Sequence, residues 1–63
     1  MKLLDHIKET YGVKNDAEIS RKLEVAPPII SRIRNGKCQV SAEIMIRIHE
    51  VFDMSIKDIK AML

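Results

Sequence analysis

The chain has 63 residues, one cysteine and a formal charge of only +2, which places it near the lower size limit for folding without disulfides or a structural metal. A lone Cys38 rules out an intrachain bridge and suits a reducing compartment, and no apolar run approaches the ~18–20 residues that a spanning helix needs. The expectation is a single soluble, cytoplasmic domain over residues 1–63, with no membrane segment and no signal peptide.

Helical periodicity runs through the whole chain, and nothing alternates as a half-buried strand would. Leu3, Leu4, Ile7 and Tyr11 form an apolar stripe, with Gly12 following where a left-handed helix end belongs. Asn15 then reads as an N-cap with Glu18 three residues on, and Ile19 and Leu23 face inward. Val25-Ala26-Pro27-Pro28 is a break: a proline drives its predecessor to extended backbone, while proline itself suits the first position of a helix. A third helix should begin at Pro27 or Pro28 and run to Asn35, with Ile30 and Ile33 buried and Gly36 supplying the positive φ that ends it.

Two further starts are legible. Ser41 caps a helix with Val40 and Met45 as a hydrophobic staple and Ile44, Ile48, Val51 and Phe52 inward. Ser55 with Asp58 repeats the capping box, and Met54 with Ile59 the staple. The fold class is all-α: a compact bundle of five helices.

Chemistry-bearing residues are sparse. His6 and His49 have no cysteine or carboxylate at ligand spacing, so no metal is expected. Cys38 reads as a loop filler and the methionines as packing residues. No Ser-His-Asp set or catalytic carboxylate pair is credible at this size, so neither an enzyme nor a cofactor is expected. Charge is unevenly spread: Lys14 to Lys37 holds six basic residues against three acidic ones, a local +3 that leaves −1 for the rest. A basic excess beside a presented helix is an electrostatic footprint for phosphate, although a solvated surface can show the same pattern.

With these features in view, Asn15–Gly36 resembles the helix-turn-helix of lambdoid phage repressors and Cro proteins. The likeness covers nearly the whole chain. It rests on Ala17-Glu18-Ile19-Ser20, on Val25 at the turn, and on Ile30-Ser31-Arg32-Ile33 followed by Asn35-Gly36-Lys37. It implies a lambda-repressor-like fold and a sequence-specific DNA-binding regulator of phage or prophage repressor type. By position, Pro27, Pro28, Ser31 and Arg32 fall where the family touches bases, and Asn15, Asp16, Asn35 and Lys37 where it touches phosphates. Such a module is expected to bind a palindromic operator in double-stranded DNA as a homodimer.

The chain also departs from the family pattern. Glu24 stands where glycine is common in the turn, and two prolines stand where hydrogen-bonding side chains usually read bases. Asp16 puts a carboxylate at a phosphate position. Arg34 replaces an acidic residue that in relatives pairs with helix one, and Glu9 is the candidate for a reversed pair. Ile29 is either a core margin or an apolar DNA contact. Ile56, Ile59, Met62 and Leu63 either close the core or form a dimer surface. The rival function is a protein-binding adaptor or antitoxin-like module that presents the same helix to a protein.

Overall fold

The computed structural model describes residues 2–63. Five helices follow one another with no strand among the described residues: α1 Lys2–Tyr11, α2 Asp16–Leu23, α3 Pro27–Arg34, α4 Ala42–Phe52 and α5 Ile56–Ala61. Three of them start as the sequence dictates. The Glu18 N–H donates to Asn15 Oδ1 at 2.9 Å, the Ile44 N–H to Ser41 Oγ at 3.2 Å, and the Asp58 N–H to Ser55 Oγ at 3.1 Å. Each satisfies a first-turn amide that has no partner within its helix. In the Asn15 box, Glu18 reaches back to the Lys14 N–H (3.3 Å) rather than to Asn15 itself.

The core gathers one stripe from every helix: Leu3, Leu4 and Ile7; Ile19 and Leu23; Ile30 and Ile33; Ile44, Ile48 and Phe52; and Ile59, closed by Val13 and Met54 from the loops. It is almost wholly aliphatic. α2 packs against both α3 and α4, and α4 carries α5. α2 thus supplies the main surface on which α3 is seated. Ser20 is the one buried polar residue among those described, and its hydroxyl donates to Ala17 O at 2.7 Å. That local bond removes the cost of burying an unpaired hydroxyl.

Four expectations change. α3 ends at Arg34, with Asn35 as the residue just past it. Val51 is 47% exposed: the inward line Ile44–Ile48–Phe52 rotates by about 40° every four residues, so by the last turn it has swung onto Phe52 and left Val51 at the side. Tyr11 is 40% exposed at the end of α1, although its ring still rests on Phe52 with centroids 5.1 Å apart. Ile59 is completely buried, because α5 spans only six residues and this is the side chain it drives into the bundle. Ile59 therefore closes the core and is no part of a dimer surface. Ile56 and Met62 are partly buried against that core, and only Leu63 of the four is well exposed.

Candidate nucleic-acid interface

The turn between α2 and α3 decides how α3 is presented. α2 ends in a pair of backbone bonds, Glu24 N–H to Arg21 O (3.2 Å) and Val25 N–H to Ser20 O (3.0 Å), around Glu24 at φ 57°. This is the left-handed helix end that glycine usually makes. Glu24 makes the same turn at a conformational cost. The turn therefore closes without a glycine. A side chain from α4 reinforces it: Arg47 Nη1 donates to Leu23 O at 2.9 Å and to Glu24 O at 3.4 Å, while Nη2 holds Glu43 at 3.1 Å. Arg47 thereby satisfies terminal carbonyls of α2 and places a cation at the negative end of that helix dipole. Nothing in its sequence neighbourhood announces this role, since its carbonyl partners lie more than twenty residues away.

α3 then starts directly. Ala26 is extended (φ −63°, ψ 135°), and Pro27 and Pro28 occupy the first helical positions with no side-chain cap. Their missing N–H groups are ones that a first helical turn leaves unpaired in any case. With Ile30 and Ile33 buried, the opposite face is fixed by the helical period: Pro28, Ser31, Arg32 and Asn35 line it, all exposed, with Pro27 exposed at its edge. Ile29 is half-buried against the core, so it is a core margin. Beyond α3, Lys37 N–H donates to Arg32 O at 2.8 Å and Gly36 N–H to Ile33 O at 3.1 Å, around Gly36 at φ 73°. This closure holds exposed Lys37 beside the end of α3.

The N-terminus of α2 is the second part of the surface. Asn15 is exposed and its side-chain oxygen is committed to the cap. Asp16 is half-buried, and its carboxylate is gripped by Arg34 from α3: Nε donates to Oδ2, and Nη2 to Oδ1 at 2.8 Å. The remaining arm of the guanidinium, Nη1, donates to Asp5 Oδ1 of α1 at 3.0 Å. Arg34 does pair with helix one, but through Asp5, one turn before the expected Glu9, because α3 ends against the first turn of α1. The Asp16 hydrogen bond, with Asp5 behind it, holds the Arg34 guanidinium above its ordinary range, and Arg34 in turn pulls the Asp5 carboxyl down. Of the three arginines after residue 30, Arg34 and Arg47 are tied to protein oxygens. Arg32 is exposed with no such tie among the described residues.

The sequence of residues 2–61 matches the family described as the bacteriophage CI repressor helix-turn-helix domain. The chain belongs to that family. No curated protein and no solved structure gives a match. Membership makes this a DNA-binding, repressor-type regulatory domain, and the all-helical fold agrees with it. In this CI-like domain the eight residues singled out from sequence fall into two neighbouring sets. Pro27, Pro28, Ser31, Arg32 and Asn35, with Lys37 just beyond, come from α3 and its end, and Asn15 and Asp16 from the start of α2. Sequence reasoning missed Arg47 and the Arg34–Asp16 pair. Among the described residues no three His, Cys, Asp or Glu side chains are grouped to hold a metal, and no helix is long and apolar enough to cross a membrane. Cys38 is exposed in the loop after α3, and the His49 ring donates to Met54 O at 2.6 Å.

Proposed function

We propose that this CI-like domain binds a palindromic operator as a homodimer, inserting α3 into the major groove of each half-site. Arg32 reads bases, with Ser31 beside it. Pro27 and Pro28, which cannot exchange hydrogen bonds through their side chains, pack on the groove floor, where a thymine methyl offers the apolar contact they need. The phosphates are held by Asn15 and the first N–H groups of α2 around Asp16, and by Asn35 and Lys37. Half-sites then lie about 34 Å apart, one helical turn. The observation that carries this reading is the uncommitted guanidinium of Arg32 on the outer face of a helix whose start, end and flank are all fastened.

Selection of bound duplexes from a random pool gives the operator. Arg32→Ala is then expected to lose preference at one position per half-site, since a guanidinium on guanine O6 and N7 is worth about 1–3 kcal/mol against the wrong base. Lys37→Ala should instead weaken binding to all sequences alike and lower the salt slope by roughly one unit. An unchanged preference in Arg32→Ala would remove α3 from base reading. Affinity insensitive to salt would favour the protein-adaptor role, because phosphate contacts release counterions and apolar contacts do not.

A further inference from the structure

The first turn of α2 carries two acidic residues, Asp16 and Glu18. A helix start offers N–H groups and a positive dipole end to an anion, but a free carboxylate there repels the same anion. Both carboxylates are drawn onto the protein: Glu18 by the Lys14 N–H at 3.3 Å, and Asp16 by both faces of the Arg34 fork. The second contact is the stronger, since a bidentate guanidinium–carboxylate pair combines charge with fixed geometry. It is also sheltered: the Arg34 side chain is 28% exposed and that of Asp16 30%.

We propose that Arg34 is a positioning residue for DNA binding: its fork neutralises Asp16 and turns that carboxylate away, so that the α2 N-terminus can accept a backbone phosphate. The inference rests on the proposed placement of DNA against that helix end. Arg34 does this from α3, and its third arm is anchored on Asp5 of α1. A purely structural brace and a charge shield make different predictions. A brace is equally broken when either partner is removed, whereas the shield is needed only while Asp16 is charged.

The test uses the whole chain and a 30-base-pair duplex of mixed sequence (about three helical turns), because phosphate contacts do not depend on sequence. Affinity is measured across a salt series, with thermal unfolding followed in parallel. Arg34→Gln should weaken binding about tenfold, the size expected for one unpaired charge near a phosphate between the aqueous and protein-surface limits. Adding Asp16→Asn to Arg34→Gln should recover most of that loss, although the ion pair is absent in both. Asp16→Asn alone should bind more tightly than the wild type with a steeper salt slope, since it leaves Arg34 with one carboxylate partner, Asp5, instead of two. Where Arg34→Gln does not fold, this single variant decides. No recovery in the double variant, or unchanged affinity and slope in Asp16→Asn, overturns the shield while leaving wild-type DNA binding intact. A wild type that binds no duplex at all overturns both the DNA placement and the shield.

Discussion

Arg47 offers the sharpest check on how α3 is presented. Arg47→Met keeps most of the apolar stem but removes the donors that reach Leu23 O and Glu24 O. A hydrogen bond from a charged donor contributes about 1.5–3 kcal/mol when its loss strands a buried partner. The Arg47 side chain is 35% exposed, so water can take over part of the vacated contact and the expected loss falls to about 1–2 kcal/mol. In a domain of this size each kcal/mol moves the midpoint by about 4–8 °C, so thermal unfolding followed by circular dichroism should register a drop of roughly 5–15 °C. Glu43→Gln is the control. It breaks only the exposed i,i+4 pair at 3.1 Å, worth less than about 0.5 kcal/mol. If both variants lost the same small amount, Arg47 would be a surface charge and the α2–α3 turn would stand by its own backbone bonds.

Glu24→Gly should leave stability unchanged or raise it by up to about 1 kcal/mol, because relief of left-handed strain (about 1–2 kcal/mol) outweighs the extra freedom glycine gives the unfolded chain; a clear destabilisation in urea would show that Glu24 carries no strain. Ile59→Lys should abolish the helical circular dichroism signal, since it puts a charge at a completely buried position. Leu63→Lys should keep that signal, and a folded Ile59→Lys protein would place α5 differently.

All five helices were legible because their signals are local. Asn15, Ser41 and Ser55 cap the amide three residues ahead, and the stripes repeat within each segment. What a stripe fixes is the centre of a buried face and not its width, so Val51 and Tyr11, at the margins, read as inward from sequence yet lie half in water. Ile59 was ambiguous for a related reason: four apolar residues near the end exceed what six helical residues can bury, and only the packing of α5 on α4 selects one of them. The outer face of α3 could be read because Ile30 and Ile33 set its phase. Arg47 could not, because its partners are carbonyls of a distant helix end that carry no side-chain identity. Arg34 was intermediate. Its sign against helix one pointed to a carboxylate there, but choosing Asp5 over Glu9 requires knowing where along α1 the end of α3 lands.

The recognition face also sets how much specificity one copy can supply. If Arg32 makes one guanine contact worth about 1–3 kcal/mol and Ser31 adds a neutral hydrogen bond of about 0.5–1.5 kcal/mol, a single α3 discriminates by only a few kcal/mol. The two prolines add shape and no donors. Specific binding typically exceeds non-specific binding by about 4–10 kcal/mol. A single module therefore falls near or below the lower edge of that range, and two copies on a palindrome reach its middle. The shortfall argues for paired half-sites independently of any assumption about which surface pairs. It also bears on where pairing occurs. With Ile59 committed to the core, the large apolar side chains left exposed among the described residues are Ile46 and Val51 on α4, Tyr11 at the end of α1 and Leu63 after α5. We propose that the operator brings the two copies together, in which case binding should rise steeply with protein concentration.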